Sequence, residues 1–211
     1  MIHLKEITNE KDFVEVNGQN IPLTQTFAYG LIQKRMSRNI KNFQILNDKS
    51  VIGSVLIVEY PLFRSLTYWY APYGPILSNV SEEIILSIKS GLTMWAKKNN
   101  VAFVRLDFTF IDSNNSIPLK KYFTESLPPS IVGAYFQPRD EWYTAISGTP
   151  EEILSAMHSK TRYSVRLAEK KGIKTVLIDK DLAKKLPAFL ELMKQTSVLK
   201  GFALHNNDYF K

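Results

Sequence analysis

Apolar residues recur at helical spacing between residues 81 and 98, where Ile84, Ile85, Ile88, Leu92, Trp95 and Ala96 form one stripe. Asn79 or Ser81 can cap this segment, Glu82 and Glu83 suit its positive end, and Lys97, Lys98, Asn99 and Asn100 close it. The pattern predicts an amphipathic helix with a single buried face. Upstream the period changes. Weak alternation over 2–7 predicts a first strand, and Leu23-Thr24-Gln25-Thr26 leads into a helix running to about Met36. Residues 43–46 and 51–59 are rich in β-branched and apolar side chains and flank Asn47-Asp48-Lys49-Ser50, which predicts a hairpin. Residues 66–70 read as another strand, stopped by A-P-Y-G-P at 71–75. Residues 101–108, V-A-F-V-R-L-D-F, read as a largely buried strand, and a short helix falls around 119–123.

Tyr135 and Phe136 precede Gln137-Pro138-Arg139-Asp140, which reads as a bend and hinge. A strand is predicted over 141–146. Thr149-Pro150-Glu151-Glu152 then combines a capping threonine, a proline at the first helical position and the glutamate of a capping box. Helix is predicted from there to Lys171, broken near Ser159 and ended by Gly172. A strand over 174–178 and a helix over 182–197 complete the pattern. Two strands cannot bury both faces of a sheet. The expected fold is therefore α+β, with a mixed sheet in the first part and the beginning of a second domain after the hinge.

A length of 211 residues fits one domain plus part of another. Hydrophobic content of 45% and charged content of 22% are those of a globular protein. The net charge of +7 favours anionic partners such as nucleic acid, phosphorylated metabolites or acidic headgroups. The absence of cysteine excludes disulfides, thiol nucleophiles and Cys-ligated metals. His3, His158 and His205 lie far apart and show no metal-ligand spacing. The first ten residues lack a signal-peptide core, and no run approaches the roughly 20 apolar residues of a membrane span. A cytoplasmic protein working near the membrane surface is expected.

The densest candidate for chemistry is His158 to Lys174, H-S-K-T-R-Y-S-V-R-L-A-E-K-K-G-I-K. At helical spacing Arg162, Arg166 and Lys170 share a face, which suits phosphate groups and equally suits a solvated basic surface. Asp107 sits near the C-terminal end of an apolar strand, where a carboxylate can accept a proton. Arg105 lies two residues away on the same face, so a structural ion pair is the competing reading. Tyr68 to Pro75, Y-W-Y-A-P-Y-G-P, can line a ligand cleft or pack as core. His205 and Tyr209 share a face if G-F-A-L-H-N-N-D-Y-F is helical. There is no G-x-S-x-G elbow, P-loop or G-x-G-x-x-G turn.

The order of these segments is more specific than any one of them. Gln25 before an aromatic helix, A-P-Y-G-P-I-L, a long helix, V-R-L-D, Q-P-R-D-E-W-Y-T-A-I, K-T-R-Y-S-V-R-L-A-E-K-K-G and G-F-x-x-H-x-x-D-Y-F together resemble the FemABX family. Ser164 and Val165 replace the Asn and Ile of that family's basic block, and Tyr73 stands where its proline-rich turn commonly has Arg. The resemblance implies two GNAT-like domains, with residues 1–140 forming the first and 141–211 the N-terminal, truncated part of the second.

The resemblance also implies transfer of an amino acid from aminoacyl-tRNA to the stem-peptide amine of a peptidoglycan precursor, either lipid II or a UDP-linked muropeptide. It implies no metal and no cofactor, and peripheral contact with the inner membrane surface. Asp107 matches an acidic position proposed as a base, and Tyr73 falls in the substrate-side turn. Lys34, or Gln33 as the alternative equivalent, lies near the helix that meets precursor phosphates. Tyr209 matches a tyrosine near the substrate, and His205 stands where relatives carry a phosphate-binding Arg. Arg162 and Arg166 belong to the basic block, with tRNA or phosphate contact as its implied role. Two other classes compete: an acyl-CoA-dependent GNAT acyltransferase and a non-catalytic basic RNA-binding module. The first is disfavoured because no Arg/Gln-x-x-Gly-x-Gly/Ala turn occurs.

Overall fold

A computed structural model of the chain describes residues 1–12, 21–108, 119–124, 137, 144–178, 180–205 and 207–210. The chain divides into two compact units, Met1–Arg139 and Asp140–Lys211.

The first unit is built on a six-stranded mixed sheet: β1 (Ile2–Glu6), β2 (Ile40–Asn47), β3 (Ser50–Phe63), β4 (Leu66–Ala71), β5 (Ile76–Leu77) and β6 (Val101–Leu106). The order is β1-β2-β3-β4-β6, with β5 also pairing β3. β1 to β4 pair antiparallel, and β6 joins β4 in parallel. The parallel join needs a crossover. That crossover contains α2 (Glu82–Lys98), whose cap is Ser81, with its side chain accepting from the Ile84 amide.

Alternation in the strands and the helical stripe meet in one core. Phe43, Ile45, Val55, Ile57, Trp69 and Ala71 face Ile84, Ile85, Ile88, Leu92 and Ala96 of α2. Phe43 packs on Trp95 at 5.1 Å and on Trp69 at 6.3 Å between ring centroids. Gly91 permits close approach, because a Cβ there would lie 2.7 Å from Leu4 Cδ1. α3 (Leu119–Tyr122) joins this core through buried Tyr122, whose hydroxyl donates to Glu82 at the start of α2.

On the opposite face lies α1 (Phe27–Arg35), capped by the Thr26 hydroxyl and preceded by a tight turn over Leu23–Gln25. Gly30 lets α1 approach the sheet: a Cβ there would meet Ile40 Cδ1 at 2.7 Å and Leu56 Cδ1 at 3.1 Å. The β3 ladder is split on one side, since β4 pairs it from Val58 onward and β5 pairs only Gly53 and Ser54. Between these, the Leu56 amide donates to Gln25 Oε1 at 2.9 Å, and the Leu56 carbonyl accepts from Gln25 Nε2 at 3.2 Å.

The second unit contains α4 (Pro150–Ala156), α5 (Ser159–Lys170) and α6 (Leu182–Lys200). The capping box of α4 forms as the sequence predicts, and Gly172 and Gly201 adopt left-handed backbone where α5 and α6 end. No residue of α4, α5 or α6 is buried.

The helix expected to follow Leu23-Thr24-Gln25-Thr26 runs from Phe27 to Arg35, with Thr26 as its cap. Two other expectations are corrected. The segment 174–178 is not a strand. A strand must hand its backbone hydrogen bonds to a neighbour, and among the described residues none pairs with it. Residues 144–146 of the strand expected at 141–146 are likewise outside any ladder, while 141–143 lie outside the described residues. So do Tyr135, Phe136 and the Pro138-Arg139-Asp140 part of the bend. The pair Ile76–Leu77 was not legible as a strand because two residues carry no period.

The α2 core makes a direct prediction. Ile88→Ala should lower unfolding stability by about 2–5 kcal/mol, since Ile88 is fully buried, whereas Leu86→Ala on the exposed side should change it by about 0.5 kcal/mol or less. Urea unfolding followed by tryptophan fluorescence distinguishes the two.

Candidate active site

The parallel pair β4 and β6 ends in register at Ala71 and Leu106. The Asp107 amide then donates to the Ala71 carbonyl at 3.2 Å, placing Asp107 beside the start of the A-P-Y-G-P turn. Alternation puts Phe103, Arg105 and Asp107 on the face that also carries Tyr68 and Tyr70 of β4. The Tyr70 hydroxyl donates to Asp107 Oδ2, and Arg105 Nε lies 3.6 Å from Asp107 Oδ1. The Arg105 guanidinium also lies over the Tyr70 ring at 5.3 Å.

Burial, and then the hydrogen bond to Asp107, push the Tyr70 phenol well above its ordinary range, so it remains a donor at working pH. The Asp107 side chain keeps 26% of its surface exposed and that of Arg105 only 14%. One carboxylate oxygen thus holds a phenol and the other faces a guanidinium, while the edge of the group remains open. Such a group can orient an incoming amine and take up its proton.

A row of rings continues from this point. Tyr60 stacks on Tyr68 at 5.4 Å and lies 6.3 Å from Tyr70, and Tyr68 stacks on Phe103 at 5.1 Å. Arg38 lies over Tyr60 at 4.8 Å and donates to Gln33 Oε1 at 2.6 Å. Burial raises the Tyr68 phenol further than its neighbours Arg105 and Arg38 lower it. At this end of α1, Gln33 is buried and Lys34 exposed. Tyr73 is half-buried with φ of 53°, a left-handed conformation for a residue with a Cβ.

Tyr60 and Arg38 are the residues that sequence reasoning missed as site components, and Tyr70 entered only as part of the Tyr68–Pro75 segment. Tyr68-x-Tyr70 and Arg105-x-Asp107 both show the strand period, so each pair could be read. Their pairing could not, because it depends on the register of β4 against β6.

In the second unit, the Arg162 guanidinium donates to the Met157 carbonyl and, at 3.3 Å, to the Ser155 carbonyl. It therefore closes the C-terminal end of α4, where carbonyls lack helical partners. Arg166 and Lys170 are exposed on α5. The His205 and Tyr209 rings stack at 4.1 Å, although His205 itself is not in a helix and Tyr209 lies in a short turn at Asn207–Phe210. Tyr209 meets Phe210 at 5.0 Å, and Phe210 meets Phe189 of α6 at 6.0 Å. Of the residues selected from sequence, Lys34, Tyr73 and Asp107 thus belong to the first unit, and Arg162, Arg166, His205 and Tyr209 to the second. Among the described residues no group of three His, Cys, Asp or Glu side chains could hold a metal ion.

Residues 131–211 match the FemAB family. The chain is 21% identical over 181 residues to the aminoacyltransferase FemA of Staphylococcus epidermidis, covering 78% of this chain and 43% of that protein. It is 19% identical over 185 residues to FemA of Staphylococcus aureus (strain MW2), covering 78% and 42%. The fold superposes on the crystal structure of FemX with a TM-score of 0.71 at 22% identity, over 92% of this chain and 49% of that one. The resemblance to the FemABX family is borne out. The chain spans less than half the length of the FemA relatives it matches. The FemAB match contains α5 with its basic block and the His205–Tyr209 stack. The FemX likeness concerns the fold, which is a mixed α+β arrangement. No helix among the described residues is long and apolar enough to cross a membrane.

The contrast between Arg162 and Arg166 is measurable. Arg162→Ala should lower hydrogen-exchange protection of α4 by roughly fivefold to tenfold, the loss expected when partly exposed hydrogen bonds together worth about 1–1.4 kcal/mol are removed. Arg166→Ala should leave α4 unchanged.

Proposed function

We propose that this chain carries part of an aminoacyltransferase. The enzyme moves an amino acid from aminoacyl-tRNA to the stem-peptide amine of a peptidoglycan precursor, in formation of the cell-wall interpeptide bridge. The observation that carries this reading is the Asp107 carboxylate, held by Tyr70 and Arg105 at the end of the β4–β6 pair. The likeness to the aminoacyltransferase FemA supports the reaction class, and the likeness to FemX supports the fold.

The chemistry is aminolysis of an ester. The amine nitrogen attacks the carbonyl carbon, the nitrogen loses a proton, and the bond to the tRNA ribose oxygen breaks as that oxygen gains a proton. Asp107 orients the amine and accepts its proton, and positioning supplies most of the remaining gain. Tyr73, in its left-handed turn next to the Asp107 backbone, contacts the precursor, as does Lys34 at the end of α1. The exposed Arg166 and Lys170 on α5 meet phosphates of the tRNA, while Arg162 shapes that surface through its hold on α4. His205 and Tyr209 act as one stacked unit toward the precursor.

In this reading residues 1–140 are a GNAT-like domain and 141–211 begin a second. The acceptor is lipid II or a UDP-linked muropeptide. The enzyme works in the cytoplasm against the inner membrane surface.

The test is to incubate the protein with a pool of radiolabelled aminoacyl-tRNAs and a lipid-linked or nucleotide-linked stem peptide, and to identify labelled peptide by mass. Transfer that requires both substrates is the expected result. Turnover of acyl-CoA in place of aminoacyl-tRNA would overturn the reading in favour of the wider acyltransferase class, and salt-sensitive RNA binding without transfer would favour a binding module. Asp107→Asn should lower the transfer rate by roughly tenfold or more while leaving the circular dichroism spectrum unchanged. Near-normal transfer by that variant would remove Asp107 from the mechanism.

A further inference from the structure

The side chain of Gln25 does the work of a missing piece of strand. Its carboxamide accepts from the Leu56 amide at 2.9 Å and donates to the Leu56 carbonyl at 3.2 Å, in the interval of β3 that neither β4 nor β5 pairs. The same nitrogen donates to the Pro72 carbonyl at 2.7 Å. Both amide hydrogens are therefore used, one on the sheet and one on the A-P-Y-G-P turn. The group is 2% exposed, so water does not compete for these bonds.

Several contacts make the link rigid. The Thr24 hydroxyl donates to the same Pro72 carbonyl at 3.0 Å, filling its second acceptor position. The Gln25 amide is itself held by the Pro22 carbonyl at 2.8 Å. The carboxamide lies flat against Gly74, where a Cβ would come within 2.6 Å of its Cδ, Nε2 and Oε1 atoms. The clamped segment is the one that matters for the site. Tyr73 is held between Pro72 and Gly74 in left-handed backbone, and Ala71, one residue before the clamp, anchors the Asp107 amide.

We propose that Gln25 is a positioning residue for the transfer site: by tying Pro72 to β3 it sets the aim of Tyr73 and the seat of Asp107. Gln25 acts through the turn and need not touch substrate. The inference rests on the aminoacyltransferase reading for its catalytic part only.

The test uses Gln25→Met, which keeps length and loses every side-chain hydrogen bond, and Gly74→Ala, which pushes on the carboxamide without altering β3. In both, hydrogen exchange over residues 71–77 should rise by roughly tenfold while α2 remains protected. The kcat for transfer should fall by roughly tenfold to a hundredfold. The KM for aminoacyl-tRNA should stay within about twofold, because the phosphate contacts proposed for it lie on α5. Unchanged exchange in the turn would overturn the proposal, and so would raised exchange with normal kcat. If Gln25→Met does not fold, Gly74→Ala decides by the same criteria. If the unaltered protein transfers nothing, the aminoacyltransferase reading fails by itself, and the exchange data alone decide whether Gln25 holds the turn.

Discussion

A buried sheet must satisfy every backbone donor and acceptor, and in this protein β3 cannot do so with strands alone. β4 and β5 leave the edge at Leu56 open, and one side-chain amide closes it. Much of the first unit is arranged around that solution. The tight turn before α1 delivers Gln25, Gly74 leaves room for it, and the polypeptide between β4 and β5 is drawn against the sheet by its contact with Pro72. An unsatisfied buried amide and carbonyl would each cost about 1–3 kcal/mol, so the constraint is energetic as well as geometric.

The two faces of the sheet divide labour by the period of two. One face packs Phe43, Ile45, Trp69 and Ala71 on α2 and supplies the core. The other carries α1 over β2 and β3, and further along presents Tyr68, Tyr70, Phe103, Arg105 and Asp107. Aromatic rings there form a firm base on which two guanidinium groups and one carboxylate are set. The Tyr70 hydroxyl is the hinge of this arrangement. It is buried enough to remain protonated and close enough to hold Asp107 in place. The ion pair of Arg105 with Asp107 and a functional role for Asp107 are therefore compatible, because the pair orients the carboxylate and leaves its edge accessible.

The second unit follows another rule. Its helices are placed by local signals that need no tertiary partner: a capping box at Thr149, a cap at His158, and glycines at the ends of α5 and α6. Several of their apolar side chains, Leu192, Val198 and Leu199 among them, are exposed. A segment such as 174–178 has the composition of a strand, yet composition cannot supply the neighbour that a strand requires.

The sequence by itself determined what is local. The stripe of α2, the hairpin of β2 and β3, the stop at A-P-Y-G-P, the break between α4 and α5, and the proximity of Arg105 to Asp107 all follow from spacing and turn chemistry within a few residues. The order of its motifs also carried the FemABX resemblance. Tertiary structure decided what joins distant residues. It set Tyr70 against Asp107 across 37 positions and Gln25 against Pro72 across 47. Periodicity tells which face a side chain occupies, but strand register and packing choose its partner, and those are properties of the folded chain.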